Sequence, residues 1–576
     1  MDTGKMMKSS YNPYIFVVLV LSGLLILLSG CGGKTPTVSD SISRQSGKTE
    51  EEIERELTEG NVTMSRLQLA LYGKITDCSL QSDKETLALT LTMPDIPKSD
   101  DAMIYLFAFE TFEECTFTEE LKREPIASQR KSTECRLECA YQDEYLFKQF
   151  VPALLLNGEY MPLSAGICIS NPEMLADTIE DCPQPKSKKG LLLDPQMLET
   201  SLLTDLGVQY AIYNIPLSII MGETTDQTFP TISYEYQGKT YLFNGAAING
   251  YDYLFSYLTG QGMNSTAIIL NDWNETYPEL IHPLSDNKEA GAYYYAFNTA
   301  NQEGISCLEA IASFLTERYS GKEHGLVSNW VIANEINQYK VWNYMDTDDI
   351  MVYAAEFEKA LRIFYYAAKS NYADAKVYFS IDHDWNSNRG NDEKYFNAKE
   401  VVAAVNEMAG KKGNYDWGLA IHPYPNPLTK VNYWTENYDK TPEAPVLTLM
   451  NLSTVTDFLS QEEYLDRNGN VRSITVTELG FTSASGEKLQ AAAFAYCYYI
   501  IEDNPYVDAF IMNRQTDALE EVKQGLSFGI YEMDHTPKYI CDVYKNIDTD
   551  QGKEYTKFML NILGAGSLEE ALSWAK

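Results

Sequence analysis

Two glutamates stand at the ends of strand-like runs in this chain, where an acidic side chain is unexpected. Glu335 lies in the run VSNWVIANEINQY (residues 327–339), and Glu478 lies in SITVTELGFTS (residues 473–483). Because the residues before each glutamate are mostly apolar, a carboxylate there costs free energy unless it reaches solvent or a partner. Parallel β-barrels build their active sites from the carboxyl ends of their strands. The two glutamates therefore indicate a pair of carboxylates at the mouth of such a barrel.

The elements that position these glutamates form a repeating strand–helix pattern from about residue 191 onward. Eight strand-like runs occur, most of them separated by stretches of helical length: residues 207–214, 266–271, 293–297, 330–335, 377–382, 417–422, 474–478 and 507–513. Eight alternating units predict an α/β fold, a (β/α)8 TIM barrel over residues 191–576 with a C-terminal helical extension. An open doubly wound sheet is the competing fold, and it requires a glycine-rich phosphate loop after its first strand. The residues at that place, Asn214-Ile215-Pro216-Leu217, are not such a loop.

By this count Glu335 ends the fourth strand, directly after Asn334, and Glu478 ends the seventh. The pattern resembles that of clan A glycoside hydrolases, the retaining glycosidases with (β/α)8 barrels, over roughly residues 195–550. The resemblance implies that Glu335 is the general acid/base and that Glu478 is the nucleophile. Retaining glycosidases hold two carboxyl groups about 5–5.5 Å apart, one to protonate the glycosidic oxygen and one to attack the sugar. Salt bridges at the barrel rim are the alternative role for the same two glutamates.

Polar and aromatic residues follow the other predicted strands, and the resemblance makes them candidate ligands of the sugar. Strand six ends in His422-Pro423-Tyr424, where Tyr424 can donate a hydrogen bond to Glu478. His422 can bind a sugar hydroxyl or have a structural role. The remaining candidates for substrate binding are Asn214, Asn271, Trp273, Asn334, His383, Trp385 and Arg514.

The end of the eighth predicted strand departs from the clan's pattern. Many clan members have a tryptophan there, under the reacting sugar, whereas this chain reads Met512-Asn513-Arg514-Gln515-Thr516-Asp517. We expect Arg514 to pair with Asp517, and contact with a carboxylate-bearing sugar is the alternative. The sequence therefore does not predict which sugar or linkage is recognised.

A metal site is the other chemistry that the strand ends suggest. Strand five ends in Asp382-His383-Asp384, whose side chains are possible metal ligands. A third segment with matching ligands is not evident, so we expect no metal and no cofactor.

The composition narrows the class of protein. The chain has 45 Lys and Arg residues against 82 Asp and Glu residues, a net charge of −37. Because proteins that bind nucleic acid need a basic surface, this charge argues against such a partner. Apolar residues make up 44% of the chain and charged residues 22%, as in globular proteins. The 41 tyrosines suit a carbohydrate-binding surface, although tyrosines also fill the edges of protein cores.

Residues 1–31 have the features of a bacterial lipoprotein signal peptide. Lys5 and Lys8 precede an apolar run over residues 14–28, which leads to Ser29-Gly30-Cys31. The ending Leu-Ser-Gly-Cys resembles the lipobox of bacterial lipoproteins. This resemblance implies that Cys31 is lipid-modified and anchors the mature chain to the cell membrane outside the cytoplasm. An uncleaved transmembrane anchor is the alternative.

Two further segments precede the predicted barrel. Residues 32–60 are polar and charged, which predicts a flexible tether. Residues 61–190 contain short strand-like runs with partial alternation, which predict a small β-sandwich accessory domain ending in a linker at residues 183–190. Six cysteines fall in this domain, and they form one or two disulfides or remain free and buried: Cys78, Cys115, Cys135, Cys139, Cys168 and Cys182.

These observations predict a monomeric, cell-surface retaining glycoside hydrolase that acts on a poly- or oligosaccharide. One alternative is a catalytically silent, carbohydrate-binding lipoprotein with a glycosidase-like barrel. Another is a structural surface protein whose working part is the β-domain.

Overall fold

A computed structural model describes residues 48–113, 123–176, 183–321, 323–390 and 394–576. The predicted signal peptide, with its lipobox cysteine Cys31, lies outside the described residues. Helix α1 (Glu50–Glu59) falls within the stretch predicted as a tether, and none of its residues is buried. Residues 55–576 form one compact unit.

The first part of this unit is a domain of two antiparallel sheets. Its elements are α2 (Arg66–Leu69), β1 (Lys74–Leu80), β2 (Thr86–Thr92), β3 (Met103–Phe109), β4 (Ala127–Arg130), β5 (Glu134–Ala140), β6 (Gln149–Leu156), β7 (Glu159–Pro162) and β8 (Ile167–Cys168). One sheet has the order β1-β2-β5, and the other has the order β4-β3-β6-β7 with β8 paired to β6.

The two sheets pack face to face. Leu87, Leu89 and Leu91 alternate along β2 and are fully buried, and they share one apolar cluster with Ile104 and Leu106 of β3. Since alternate residues of a strand point to the same side, each sheet contributes one apolar face to this core. The predicted β-sandwich is confirmed.

The second part is a closed barrel of eight parallel strands, which confirms the predicted fold class. Its strands and an inserted hairpin (β11–β12) are β9 (Lys189–Leu192), β10 (Tyr210–Pro216), β11 (Ile232–Tyr236), β12 (Lys239–Phe243), β13 (Asn264–Leu270), β14 (Val327–Ile332), β15 (Lys376–Ile381), β16 (Trp417–Ile421), β17 (Ile474–Leu479) and β18 (Val507–Met512). The barrel order is β9-β10-β13-β14-β15-β16-β17-β18, and β18 pairs with β9 to close the ring.

The predicted strand count contains one strand too many and one too few before Glu335. Because these two errors cancel, Glu335 still follows the fourth strand of the barrel. The run at residues 293–297 is not a barrel strand, because its pairing is limited to isolated bridges such as that of Tyr295 with Tyr344. The true first strand is β9, which lies partly in the segment predicted as a linker. Its charged residue Lys189 is fully buried and pairs with Asp548 at 2.7 Å, a contact that the sequence around β9 does not reveal.

Helices cover the outside of the barrel, and several begin at an asparagine or aspartate cap. They are α3 (Ser201–Thr204), α4 (Leu217–Ile220), α5 (Gly245–Gly260), α6 (Gln302–Arg318), α7 (Ile350–Asn371), α8 (Ala398–Lys411), α9 (Ser453–Leu459), α10 (Glu487–Glu502), α11 (Leu519–Val522), α12 (Tyr539–Asn546), α13 (Gly552–Leu563) and α14 (Leu568–Ser573). The side chain of Asp349, for example, accepts the backbone N–H of Met351 at 2.9 Å at the start of α7. Among the described residues, no helix has both the length and the apolar character needed to cross a membrane.

The β-sandwich packs on the outer helices of the barrel. The hydroxyl of Tyr366 in α7 donates to the carbonyl of Ile169 at 2.7 Å, and the amine of Lys412, after α8, donates to the carbonyl of Thr111 at 2.7 Å. Both contacts join the sandwich to the outer layer of the barrel.

A buried acid lies between α6 and the inserted hairpin. The side chain of Glu309 is 1% exposed, and Tyr236 donates to it at 3.0 Å. Burial raises the pKa of Glu309 to about 8, with Glu110 adding to the rise and Lys148 opposing it. Because the folded state binds this proton more tightly than the unfolded state, folding stability falls as the pH rises from the ordinary glutamate pKa toward about 8.

Replacing Glu309 should flatten this dependence. Glu309→Gln keeps the shape and the hydrogen bond but cannot ionise, so its Tm should fall less between pH 5 and pH 8 than that of the parent, by a few degrees. Differential scanning calorimetry measures the change, and Glu303→Gln, at an exposed position on the same helix, is the matched control. Equal falls in Tm for the parent and Glu309→Gln would assign the dependence to another group.

Candidate active site

Glu335 sits in a tight turn directly after β14. Ala333 and Glu335 both have left-handed backbone angles, with φ of 62° and 38°, which are costly for residues other than glycine. The hydroxyl of Ser380 in β15 accepts the backbone N–H of Glu335 at 2.8 Å, and the Ser380 carbonyl accepts the N–H of Ile336 at 3.0 Å. The neighbouring strand therefore holds the strained turn and directs the glutamate.

The carboxylate of Glu335 is engaged at both oxygens and is largely buried. His422 Nδ1 lies 2.8 Å from Oε1, and the amide of Gln338 donates to Oε2 at 2.8 Å. The side chain is 14% exposed. This leaves a small opening toward the barrel mouth.

Glu478 is more open and accepts hydrogen bonds from two neighbours. It is the penultimate residue of β17, and its side chain is 39% exposed. The hydroxyl of Tyr424 donates to Oε1 at 2.8 Å, and the amide of Asn513 donates to the same oxygen at 3.3 Å. Asn513 also donates to the Tyr424 hydroxyl at 2.9 Å, which fixes the tyrosine in place. Two donors therefore hold one carboxylate oxygen of Glu478 in place.

His422 lies between the two glutamates. Its Nδ1 is 2.8 Å from Glu335 Oε1 and 3.7 Å from Glu478 Oε2, while its Nε2 contacts Thr477 Oγ1 at 3.0 Å. The two carboxylate oxygens are thus separated by at most the sum of the two Nδ1 distances, about 6.5 Å. The barrel therefore brings the carboxylates of Glu335 and Glu478 close together, on either side of His422.

The surroundings of Glu335 change its titration. Burial raises the pKa of Glu335 above its ordinary value, the charges of Asp382 and Glu478 act in the same direction, and His422 opposes the rise. Burial by itself lowers the pKa of His422, but its hydrogen bond to Glu335 and the surrounding carboxylates raise it above the ordinary value overall. Glu335 therefore keeps a proton to higher pH than an ordinary glutamate.

A hydrogen-bond network behind Glu335 was not predicted from the sequence. The amide of Gln338 bridges Glu335 and Asp382, donating to Asp382 Oδ2 at 2.7 Å. Asn337 donates to the other oxygen of Asp382 at 2.6 Å, and Arg389 donates to Asp382 at 2.9 Å. Asn337 and Gln338 come two and three residues after Glu335 in the sequence, and this closeness is the feature from which the network was predictable.

Four of the predicted ligands lie at the surface of the barrel mouth. A cavity of about 560 Å³ at the carboxyl ends of β9, β10 and β18 is lined by Asn214 and Arg514, and one of about 620 Å³ beyond β15 and β16 is lined by His383. Asn334 is half-buried, and its side chain has no hydrogen-bond partner among the described residues. Around the barrel, β14 and β17 separate the strands of the two cavities, so both cavities flank the carboxylates.

The expected ion pair of Arg514 with Asp517 is wrong. Arg514 donates to Glu521 at 2.6 Å, whereas Asp517 pairs with Lys538 at 2.7 Å. The two residues Asp517 and Lys538 are almost fully buried, so Asp517 meets its charge partner inside the protein and not at the cleft.

Three other predicted ligands make structural contacts, and of these Trp273 alone is partly exposed. Asn271 is 1% exposed and donates to the carbonyls of Leu280 and Ala296 at 3.1 and 3.2 Å. Trp385 is fully buried, and Trp273 packs edge-on against Tyr295 with centroids 5.3 Å apart. These residues hold the loops around the mouth.

The possible metal ligands at the end of strand five are used in ion pairs. Arg389 contacts both Asp382 and Asp384. Among the residues described by the structure, no cluster of three or more His, Cys, Asp or Glu side chains is arranged to hold a metal ion. Cys115 and Cys182 lie outside the described residues. The described cysteines are all free: Cys78, Cys135, Cys139, Cys168, Cys307, Cys497 and Cys541.

Residues 181–571, more than half of the chain, match the model of a family of unknown function, DUF5722. The chain belongs to this family. The DUF5722 match covers the whole barrel, including both glutamates. No curated protein sequence matches the chain.

Several solved structures are similar to this DUF5722 protein. A family 39 glycoside hydrolase from Bacteroides cellulosilyticus WH2 has 13% identity and a TM-score of 0.42, over 84% of this chain and 81% of the other. A glucosidase from Croceicoccus marinus has 14% identity and a TM-score of 0.39, over 65% and 68%. The β-glucuronidase of Bacteroides uniformis has 11% identity and a TM-score of 0.34, and the match spans 83% of this chain but 50% of that protein.

Removing the histidine should shift the titration of Glu335. In His422→Asn the hydrogen bond and positive charge that lower the pKa of Glu335 are lost, so this pKa should rise further. Titration of the Glu335 side-chain carboxyl carbon by ¹³C NMR measures the change directly. His324→Asn, at a half-buried position before β14 where the histidine contacts Asp252, is the control and should leave the Glu335 titration unchanged. An unchanged Glu335 titration in His422→Asn would mean that the contact does not govern this acid.

Proposed function

We propose that this protein is a retaining glycoside hydrolase that cleaves a poly- or oligosaccharide by double displacement. Glu335 is the general acid/base, and Glu478 is the nucleophile. The observation that carries the proposal is the upper limit of about 6.5 Å on the separation of their oxygens. Inverting glycosidases need room for a water molecule and hold their carboxyl groups about 6.5–9.5 Å apart, whereas retaining enzymes hold them about 5–5.5 Å apart.

In the first step, an oxygen of the Glu478 carboxylate attacks the anomeric carbon, and the glycosidic bond breaks. Glu335 gives its proton to the departing oxygen, and Glu478 is left as a glycosyl ester. In the second step, Glu335, now a carboxylate, takes a proton from water while that water attacks the anomeric carbon. The ester bond breaks, Glu478 returns to its carboxylate form, and Glu335 is protonated again.

The surroundings of each glutamate suit the role proposed for it. Glu335 is buried with a raised pKa, as an acid that must arrive protonated requires. Glu478 is more exposed and accepts hydrogen bonds from Tyr424 and Asn513, which hold one oxygen and leave the other free to attack. In the proposed cycle only one of the two glutamates is ionised at a time, and His422, which lies 2.8 Å from Glu335 and 3.7 Å from Glu478, can stabilise either carboxylate.

We also propose that the enzyme acts at the cell surface. The support is the lipobox-like sequence ending in Cys31, and the polar segment after it would hold the barrel away from the membrane. The net charge of −37 suits a solvated extracellular surface.

Substitution of either glutamate tests the catalytic roles. Glu478→Gln should abolish hydrolysis across a panel of aryl glycosides and polysaccharides. Glu335→Gln should lower kcat/KM by roughly 10²- to 10⁴-fold on substrates whose leaving group needs protonation. Substrates with a 2,4-dinitrophenolate leaving group need no such proton, so Glu335→Gln should still form the glycosyl ester on them. Glu520→Gln, at an exposed position beyond the barrel mouth, is the matched control, and full activity in both active-site variants would refute the assignment.

The stereochemistry of the product tests the retaining mechanism separately. The first sugar released should have the same anomeric configuration as the substrate, as observed by ¹H NMR before mutarotation. A 2-fluoroglycoside that inactivates the enzyme should label Glu478, and mass spectrometry of the peptides identifies the site. Release of the opposite anomer would show that the pair works by inversion.

A further inference from the structure

Three aromatic side chains form a continuous strip at the barrel mouth. The ring of Tyr293 stacks on that of Trp342, with centroids 4.5 Å apart and planes at 18°. Tyr294 contacts the same Trp342 ring at 5.9 Å and 31°. Tyr293 is 63% exposed, and the other two are half-buried. We call Tyr293, Trp342 and Tyr294 the aromatic strip.

Backbone hydrogen bonds hold the two loops that carry the strip. The N–H of Tyr293 donates to the carbonyl of Val341 at 2.9 Å, and the N–H of Tyr344 donates to the carbonyl of Tyr294 at 2.9 Å. These loops follow β13 and β14, and the second is the loop that begins with Glu335. The strip is therefore held on both sides by strands that also shape the catalytic centre.

The inner end of the strip packs inside the barrel mouth. Tyr294 packs against the apolar cluster inside the barrel, which includes Ile268 and Leu270. Burial raises the pKa of the Tyr294 phenol, and the charges of Asp272 and Glu478 raise it further. From there the strip extends through Trp342 to solvent at Tyr293.

The chemistry of these rings fits a sugar chain. The C–H faces of pyranose rings pack on aromatic faces, while tyrosine and tryptophan also have a polar edge for hydroxyl groups. A stacked pair with one ring 63% exposed leaves apolar surface in water, which a bound ligand would cover. Three rings in succession are more than one sugar needs, so the ligand that matches the strip has several sugar units.

We propose that the aromatic strip binds the sugar units of a glycan chain that lie beyond the unit being cleaved. The inference rests on the proposed function and adds to it the residues that recognise the extended substrate. The glycan enters along Tyr293 and Trp342, and Tyr294 adjoins the sugar at Glu478.

Binding to a glycan array tests the strip without requiring turnover. The Glu478→Gln protein is applied to immobilised neutral and acidic oligo- and polysaccharides, and the affinity is measured for each glycan retained. Adding Trp342→Ala or Tyr293→Ala should weaken binding about tenfold, whereas Trp342→Phe should keep most of it. Tyr253→Ala removes a tyrosine that is 48% exposed on α5 and is the matched control, with no expected change. Because Tyr293 is so exposed, its variant reports on binding even if Trp342→Ala fails to fold.

The outcomes separate this inference from the proposed function. Binding that is unchanged in both Tyr293→Ala and the double variant Trp342→Phe/Tyr293→Ala would overturn the strip as a binding platform. It would also be overturned if the Glu478→Gln protein retained no glycan at all. If a glycan binds through the strip but the parent enzyme does not hydrolyse it, the platform stands and the proposed function fails. If the parent hydrolyses a glycan and the strip variants do so equally well, the proposed function stands and the platform fails.

Discussion

The buried imidazole of His422 is the contact on which the barrel mouth depends. Three carboxylates, those of Glu335, Glu478 and Asp382, exert their charge on it, and its side chain is 1% exposed. Carboxylates that converge in a partly desolvated place repel one another and are costly without a cation or hydrogen-bond donors. His422 supplies both, and its contact with Thr477 fixes the ring orientation. The remaining donors, Gln338 and Tyr424, complete an arrangement in which each glutamate has its own partner as well as the shared histidine.

The same arrangement explains why the two glutamates differ chemically although the residue type is the same. Glu335 is turned inward by a strained backbone held by Ser380, whereas Glu478 lies within β17, where the pairing with β18 shifts register, and is the more exposed of the two. Burial, and not the nature of the side chain, therefore gives the two glutamates different surroundings. The network through Gln338, Asp382 and Arg389 keeps the buried member of the pair in position from behind.

The barrel and its two carboxylates could be predicted from the sequence because each glutamate interrupts an apolar run at a strand end. The pairing of Tyr424 with Glu478 was also predictable, since both follow neighbouring strands. The first barrel strand could not be predicted, because β9 has only four residues and starts with a lysine whose partner, Asp548, lies 359 residues away. The run at residues 293–297 has the composition of a strand but is a mouth loop that supplies Tyr293 and Tyr294. Asn271 and Trp385 were predicted as ligands because they are polar or aromatic residues at strand ends. Loop carbonyls near the strand ends also need hydrogen-bond donors, and the side chains of Asn271 and Trp385 donate to such carbonyls.

The burial of Lys189 has a consequence for how the protein is made. The lysine that begins the first barrel strand donates to Asp548 and to the carbonyl of Tyr544, both from the last part of the chain. The same strand needs β18 as a neighbour to close the ring. On the ribosome, β9 emerges hundreds of residues before either partner exists, so most of the barrel is synthesised while its seam is still open. Closure is then a late event with a large loop-closure cost, and until that moment the amine of Lys189 remains in water.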